Sequence, residues 1–337
     1  MPSEVRLYEK AILEGLRKEV RGFANGLKKG SSVAIKMHMG ERGSLFYLRP
    51  IYPRLVADEL KKTGAKPFIF DSPTMYEGNR HDVDSYCETA RMNGFTETTV
   101  GCPVIISNEG VEVETQLGKV HACKALMEAD AMVVLSHFKG HPCASYGGAI
   151  KNLGMGGFTS ESKSKIHHGT AARIAHIEKC IGCGTCVRVC PYHFLSVKDG
   201  KVAMEDCFGC GACAIACPNG VMEQPMPLGA GLAEVDSHLL KTFKKGAVLY
   251  VNVLMDIVER CDCAEHGYKD TNLVPTCPNV GIMASEDIVA IDQASLDMAQ
   301  KLSGGRFGKL YGANPDVQTV AAEERGMGSR KYTLKKA

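Results

Sequence analysis

The sequence predicts an α/β protein with a mostly parallel sheet, flanking helices and a small α+β domain inserted near its middle. Short apolar runs that end in polar residues alternate with segments of helical periodicity through the first half. The same alternation resumes after a cysteine-rich stretch at residues 177–223. Because similar elements flank this stretch, we expect residues 1–176 and 224–337 to form one α/β body and residues 177–223 to form the inserted domain.

The first half begins with apolar side chains at helical intervals, which predict a helix over residues 5–28. The predicted elements that follow are a strand at 32–36, a helix at 50–62, strands at 67–70 and 104–107, a helix at 121–129 and a strand at 131–136. Ligands of open parallel sheets bind beyond the carboxyl ends of the strands. That edge would carry polar residues that include His38 and Asp71.

The second half continues the pattern after the prolines of QPMPLG, which break any regular element. The predicted elements are a helix at 232–243, a strand at 247–254, a strand IVAI at 288–291, a helix that continues to Leu302, a last helix after residue 315 and a strand SRKYTL at 329–334.

Two nearly identical cysteine runs, CIGCGTCVRVCP and CFGCGACAIACP, lie inside the inserted domain. Their C-x2-C-x2-C-x3-C-P spacing is that of bacterial two-cluster ferredoxins, in which the cysteine before proline binds the other cluster. A zinc ribbon needs only two CxxC pairs, so it leaves the other cysteines of each run unexplained. We therefore predict two 4Fe-4S clusters. The ligands are Cys180, Cys183, Cys186 and Cys217 for the first cluster and Cys190, Cys207, Cys210 and Cys213 for the second.

The strand at 131–136 leads into a glycine-rich passage that is dense in histidine and lysine. We predict a pocket for a small-molecule substrate or cofactor here, in which histidine acts as acid or base and Lys151 binds an anion or forms a covalent adduct. The alternative is a solvated loop against the inserted domain. The candidate catalytic residues are His38, His137, Lys139, Lys151 and His168, and the candidate cofactor-binding residues are Asp71 and Asn152.

A second group of soft ligands follows the strand at 247–254. Cys261, Cys263, His266 and Cys277 offer thiolates and an imidazole for a third metal centre, either zinc or iron-sulfur. The alternative is a set of reduced, metal-free thiols.

The composition narrows the class of protein. A formal charge of only +2 over 337 residues argues against nucleic-acid or anionic-membrane binding. The sequence contains neither an export signal nor an apolar run of ~18 residues, so we expect a cytoplasmic protein without a membrane span. In that compartment the fifteen cysteines would be reduced thiols, as in an anaerobic cell.

Several blocks of the sequence resemble the uncharacterised iron-sulfur proteins of domain-of-unknown-function family 362. The blocks are VAIKMHMGERGS, YLRP, DSPTMYEGNR, LSHFKGH, GGAIKNLGMG, CDC and AIDQASLDM, and the paired-cluster domain is similar to that of ferredoxin-fused members. The resemblance implies a cytoplasmic or membrane-associated redox protein of anaerobic bacteria and archaea.

Two cysteines depart from the pattern of this family, which has Asp at the position of Cys277 and apolar residues near Cys143. The resemblance therefore implies a role for Cys261 and Cys263 only. The glycine-rich segment around Lys151, with a later histidine, also resembles the cofactor-bearing region of nickel-pincer lactate racemases.

These features together predict an oxidoreductase that exchanges low-potential electrons with a redox partner protein through the two clusters. The electron path would end at the pocket. One alternative is a non-enzymatic electron-transfer subunit that docks a partner enzyme through the inserted domain. Another is a metal-handling or maturation factor that uses the CDC loop.

Overall fold

The computed structural model describes residues 2–261, 274–309 and 314–337. The strands within these residues are β1 (Ser3–Tyr8), β2 (Ser32–Lys36), β3 (Lys66–Asp71), β4 (Val104–Ile106), β5 (Gly110–Thr115), β6 (Gly118–Cys123), β7 (Ala131–His137), β8 (Lys139–His141), β9 (Ser145–Gly147), β10 (Arg173–Ile174), β11 (Leu195–Lys198), β12 (Lys201–Met204), β13 (Met222–Glu223), β14 (Val248–Leu254), β15 (Gly281–Ser285) and β16 (Tyr332–Lys336).

The α-helices within the same residues are α1 (Ile12–Ala24), α2 (Ile51–Lys62), α3 (Val83–Met92), α4 (Glu97–Val100), α5 (Lys124–Met127), α6 (Ala149–Gly156), α7 (Ser160–Gly169), α8 (Thr185–Val189), α9 (Ala212–Ala216), α10 (Leu228–Leu240), α11 (Ile288–Leu302) and α12 (Val317–Glu324). None of the described helices is long and apolar enough to cross a membrane.

The main sheet has eight strands in the order β16-β1-β15-β14-β7-β2-β3-β4. The five strands from β14 to β4 run parallel to one another, and β15 is antiparallel to both of its neighbours. The predicted mostly parallel α/β fold is therefore confirmed. Strands β7 and β14, which precede and follow the cysteine-rich stretch, are direct neighbours, with Val134 opposite Tyr250.

Helices cover both faces of this sheet, so its central strands are buried on both sides. Side chains alternate across a strand, and in β7 they divide between two cores. Met132 and Val134 pack with residues of α6, α10 and α11, whereas Val133 and Leu135 pack with residues of α1 and α2. The carboxyl ends of β2, β3, β7 and β14 consequently lie at one edge, which is the place predicted for the pocket.

The cysteine-rich stretch has a small apolar core of its own, which includes Leu195, Val202 and Met222. Strands β11 and β12 form an antiparallel hairpin, and the pairing of β10 with β13 brings the two ends of the stretch together. An insertion needs such adjacent ends if the surrounding sheet is to remain intact. The domain boundaries at 176/177 and 223/224 remain a prediction.

Three predicted elements differ from the structure. Residues 5–8 belong to strand β1, and the helix begins only at Ile12. Residues 118–123 form strand β6, and only a short helix, α5, lies within the helix predicted over 121–129. The IVAI segment forms the first turn of α11, because the side chain of Asp287 accepts hydrogen bonds from the backbone N–H groups of Val289 and Ala290, both at 2.9 Å.

Candidate functional site

A cavity of about 360 Å³, here called the main pocket, lies at the carboxyl edge of the sheet. Six of the seven residues predicted for a pocket line it, and they are His38, Asp71, His137, Lys139, Lys151 and Asn152. His168 does not line it. Its half-exposed ring contacts Ser164 O at 2.8 Å and Asp206 Oδ1 at 3.2 Å, whereas the neighbouring His167 lines the pocket.

The inner end of the main pocket is a buried polar network around Lys36, the last residue of β2. Its Nζ donates hydrogen bonds to Asp71 Oδ1 at 3.0 Å and to Asn152 Oδ1 at 2.7 Å. The Asp71 carboxylate also accepts a hydrogen bond from the Tyr86 hydroxyl. Burial acts to raise the pKa of Asp71, but the ammonium groups of Lys36 and Lys163 hold it below its ordinary value. Asp71 is therefore ionised at neutral pH.

Lys163 on α7 is a second buried ammonium group beside this network. Its Nζ donates to Ser72 O at 3.0 Å, to Ser72 Oγ at 2.8 Å and to Pro73 O. Burial lowers the pKa of Lys163 to about 8, although Asp71 partly offsets the effect. Lys163 is thus mostly protonated at neutral pH and hydrogen-bonded only to uncharged oxygens.

Helix α6 carries Lys151 and Asn152 into the pocket, and a distant carboxylate fixes the start of this helix. Asp292 accepts hydrogen bonds from the backbone N–H groups of Ala149 and Ile150 at 2.8 and 2.9 Å. These groups would otherwise have no partner in the first turn. At the other end of the helix, a Cβ added to Gly156 would lie 2.2 Å from Lys36 Nζ, so only glycine leaves space for that ammonium group.

Three histidines of the pocket make hydrogen bonds with the backbone. His137 Nε2 donates to Met255 O at 2.7 Å, and His141 Nδ1 accepts from the backbone N–H groups of Cys143 and Ala144. His167 Nδ1 donates to Phe208 O at 2.9 Å, and loss of water lowers its pKa to about 4. A neutral His167 with its Nδ1 proton engaged has Nε2 as its basic atom.

Two smaller cavities lie within the cysteine-rich stretch, and each is lined by four cysteines. The first cavity is lined by Cys180, Cys183, Cys186 and Cys217, and the second cavity by Cys190, Cys207, Cys210 and Cys213. Each set combines three cysteines of one run with the last cysteine of the other run, as the spacing predicts. Burial, followed by the neighbouring thiols, raises the pKa of Cys210 to about 11 and that of Cys213 to about 12.

Backbone N–H groups point at several of these sulfurs. Cys207 Sγ accepts from Ala172 N at 3.3 Å and from Gly209 N at 3.4 Å, and Cys217 Sγ accepts from Val221 N at 3.3 Å. Gly209 has a φ of 74°, a left-handed conformation that glycine adopts without strain. Every described cysteine is free of a disulfide.

Tyr192 and Phe208 line both the second cavity and the main pocket. Their ring centroids are 5.0 Å apart in an edge-to-face arrangement. The Tyr192 hydroxyl also lies 3.0 Å from Cys143 Sγ, a buried thiol at the wall of the main pocket, and burial raises the pKa of this thiol to about 12. One layer of aromatic side chains therefore separates the second cavity from the main pocket.

The predicted third metal centre is only partly within the described residues. Cys261 lines the main pocket and Cys277 is buried in the hydrophobic core, whereas Cys263 and His266 lie outside the described residues. Within residues 2–261, 274–309 and 314–337, no group of three or more His, Cys, Asp or Glu side chains is arranged to hold a single metal ion. A third centre remains a prediction.

Several residues of the site were not identified from the sequence, among them Lys36, Tyr86, Lys163 and Asp292. Two of them had a usable signal. Lys36 ends the apolar run SVAIK and Asp292 directly follows the apolar run IVAI, and a charged residue in such a position is commonly paired when the run is buried. Tyr86 and Lys163 lie in segments of ordinary polarity, where we find no such signal.

Comparisons with known proteins give one family, and two distant solved structures are among the matches. The family model described as "Domain of unknown function (DUF362)" matches residues 33–297. No curated protein matches the sequence.

Both solved structures have TM-scores below 0.5. A lactate racemase apoprotein from Thermoanaerobacterium thermosaccharolyticum has a TM-score of 0.45 and 12% identity, over 89% of this chain and 57% of that one. A protein from Thermotoga maritima, determined by a structural genomics consortium, has a TM-score of 0.43 and 10% identity, over 87% of this chain and 59% of that one. The chain thus spans less than two thirds of either protein.

Proposed function

We propose that this chain, which belongs to the DUF362 family, is an iron-sulfur oxidoreductase that exchanges low-potential electrons with a small molecule in the main pocket. The observation that carries the proposal is the composition of the first and second cavities. Each has four cysteines, and the fourth comes from the other run, as two 4Fe-4S clusters require. When bound, such clusters supply single-electron transfer.

The arrangement of the cysteines fits a cluster better than a zinc ion. In a 4Fe-4S cluster each thiolate binds a different iron, so the four sulfurs surround a volume instead of converging on one point. The described cysteines surround two such cavities, four around each. The hydrogen bonds from Ala172 N, Gly209 N and Val221 N to the sulfurs are of the kind that tunes iron-sulfur potentials.

The position of the two cavities supports a direction for the electrons. The second cavity shares Tyr192 and Phe208 with the main pocket. Beside the first cavity, the side chain of Ile181 is 70% exposed. A redox partner protein that docks near Ile181 would therefore reach the first centre, while the second centre serves the pocket.

The residues of the main pocket supply binding and proton transfer. The network of Lys36, Asp71 and Asn152 fixes the inner end of the pocket. Lys163 beside this network contributes positive charge there. A molecule that gains electrons in the pocket also needs protons, and a histidine that is neutral at pH 7 can relay them. His167 has this property at Nε2 and contacts the aromatic wall through its bond to Phe208 O.

The proposal is tested by purifying the protein under anaerobic conditions and measuring iron, acid-labile sulfide and zinc. We expect about eight iron and eight sulfide atoms per chain, together with the electron paramagnetic resonance spectrum of reduced 4Fe-4S clusters. Zinc in place of iron would overturn the proposal.

Two serine variants sharpen this measurement. Cys183→Ser, in the first cavity, should lose up to half of the iron, whereas Cys87→Ser, an exposed cysteine that lines neither cysteine cavity, should retain it. Equal iron loss in both variants would contradict the assigned ligands.

A further inference from the structure

The inner end of the main pocket holds more buried positive than negative charge. Lys36 is 1% exposed, Lys163 is 6% exposed and Asp71 is 4% exposed. The Asp71 carboxylate is already shared between Lys36 and the Tyr86 hydroxyl. Because a buried charge without a counter-charge is costly, two buried ammonium groups beside a single carboxylate indicate a place for another negative group.

The other groups around Lys163 do not supply that charge. Its three hydrogen bonds go to uncharged oxygens of Ser72 and Pro73. The charged and titratable groups that act on it are Asp71 from β3, Lys36 from β2, Arg80 from the segment before α3 and the Cys123 thiol at the end of β6. Burial raises the pKa of that thiol to about 11, so it is uncharged at pH 7.

Two ammonium groups of the pocket still have N–H groups to offer. Lys36 Nζ donates to Asp71 and Asn152, and one of its three N–H groups has no partner among the described residues. Lys151, half-buried on α6, lines the pocket and makes no hydrogen bond or ion pair with any residue in the described part of the chain. These two side chains are positioned to bind oxygens of an anion.

The lining of the main pocket also includes apolar and aromatic side chains. Met155, Pro142 and Pro191 contribute to its lining, together with the Tyr192 and Phe208 rings that are shared with the second cavity. Flat conjugated groups pack favourably against such rings. A ligand that fills the pocket would therefore carry both a negative group and an unsaturated group.

We propose that the main pocket binds a small conjugated carboxylate, whose carboxylate contacts Lys36 and Lys151 and whose unsaturated part lies against Tyr192 and Phe208. The inference rests on the proposed function for the use of this molecule as a redox substrate, and it names the substrate class. Binding alone depends only on the pocket.

The test uses the full-length protein, purified anaerobically, in calorimetric titrations with cinnamate and with its uncharged analogue cinnamamide. We expect cinnamate to bind at least about tenfold more tightly than cinnamamide, because only the carboxylate neutralises the buried lysines. Acetate and inorganic phosphate test the other half of the proposal. Both should bind more weakly than cinnamate, since neither has a conjugated group to contact the aromatic wall.

A variant pair assigns the site. Lys151→Met should weaken cinnamate binding about tenfold or more. Lys165→Met on α7 is the matched control, because Lys165 is solvent-exposed, pairs with Glu161 and does not line the pocket. The Lys165→Met variant should bind cinnamate with unchanged affinity. The half-buried position of Lys151 makes its variant less prone to misfolding than a change of Lys36.

A pH series needs no variant. Lys163 has a pKa of about 8, and a bound anion favours its protonated form, so cinnamate affinity should fall as the pH rises above about 8. Cinnamamide affinity should not change over that range.

Equal affinities for cinnamate and cinnamamide, tighter binding of phosphate than of cinnamate, no measurable binding of any probe, or full affinity in Lys151→Met would each overturn the inference. Iron analysis on the same samples separates it from the proposed function. Full cluster content without carboxylate binding would remove the inference alone, whereas carboxylate binding without clusters would remove the proposed function alone.

Discussion

Asp236 on α10 is a buried carboxyl group that makes no hydrogen bond with any described residue. Both of its oxygens are buried without a hydrogen-bond partner. Burial, reinforced by the nearby Asp292, raises its pKa well above the ordinary value. In the unfolded chain this group ionises above about pH 4, while in the folded protein it keeps its proton. The contribution of Asp236 to the free energy of unfolding is therefore most favourable below about pH 4, and it declines as the pH rises above that value.

Replacing Asp236 should consequently stabilise the protein. We expect Asp236→Leu, which has a similar shape, to raise the free energy of unfolding at pH 7 by about 1–3 kcal/mol, because it removes an unsatisfied buried polar group. Chemical denaturation measures the change. Asp236→Asn, which retains polar atoms but cannot ionise, should flatten the dependence of stability on pH between about 4 and 7. A loss of stability in both variants would show that the carboxyl group has a partner.

Gly156 provides a second prediction for a single residue. An added Cβ would lie 2.2 Å from Lys36 Nζ and 2.6 Å from Asp71 Oδ1, so Gly156→Ala must displace the buried pair. We expect a loss of about 1–3 kcal/mol in unfolding free energy and weaker cinnamate binding. The control is Gly22→Ala in α1, where the added Cβ meets nothing within 4 Å. That change should stabilise the helix by about 0.5–1 kcal/mol. Equal effects of the two variants would contradict the steric argument.

The residues of the site differ in how far the sequence predicts them. His38, Asp71 and Lys151 follow from two rules, that ligands bind beyond parallel strand ends and that glycine-rich passages approach ligands. The choice between His167 and His168 depends on the phase of α7, a helix that the sequence pattern did not predict. Tyr86 reaches Asp71 from a helix that follows the next loop, and only the tertiary structure brings them together.

Among the elements, the two cysteine runs lead to a prediction about shared ligands. Each of the helices α8 and α9 follows a glycine with positive φ, Gly184 and Gly211, and each run ends with a cysteine that lines the cavity of the other run. Cys217→Ser should therefore change the same electron paramagnetic resonance signals as Cys183→Ser, although the two residues lie in different runs.

Cys190→Ser should pair in the same way with Cys207→Ser. Electron paramagnetic resonance of the reduced variants distinguishes the two centres. If Cys217→Ser instead changed the signals that Cys207→Ser changes, each run would bind its own cluster and the crossed assignment would be wrong.

The sequence predicts whether an element is a helix or a strand where the decisive residues lie within that element or beside it. Strands β2, β7 and β14 are continuous apolar runs that are buried on both faces, and such runs identify central parallel strands. The IVAI run looks the same but begins a buried helix, and periodicity alone cannot separate these cases. The Asp287 cap was the available signal. Helix α6 is harder to predict, because its N-terminal cap, Asp292, lies far away in the sequence.

At the scale of the whole molecule, the continuity of the sheet across the cysteine-rich stretch was predictable, and the docking of that stretch was not. The pairing of β7 with β14 follows from two matching apolar strands on either side of the stretch. The second cavity adjoins the main pocket through Tyr192 and Phe208. In the sequence, these two residues resemble ordinary core residues of the cysteine-rich stretch. No local pattern encodes the contact between two surfaces that come from separate parts of the sequence.

If the proposed clusters are bound, this docking makes the two centres unequal, which gives the last prediction. Only the second cavity shares a wall with the main pocket, so a carboxylate bound there places negative charge closer to the second centre than to the first. Negative charge disfavours the addition of an electron, and the effect weakens with distance. Saturating cinnamate should therefore lower the reduction potential of the second centre by tens of millivolts and that of the first centre by less. Potentiometric titration followed by electron paramagnetic resonance measures both values, with Lys151→Met as the variant that should lose the shift. Equal shifts at the two centres, with cinnamate bound, would show that the pocket is not coupled preferentially to the second centre.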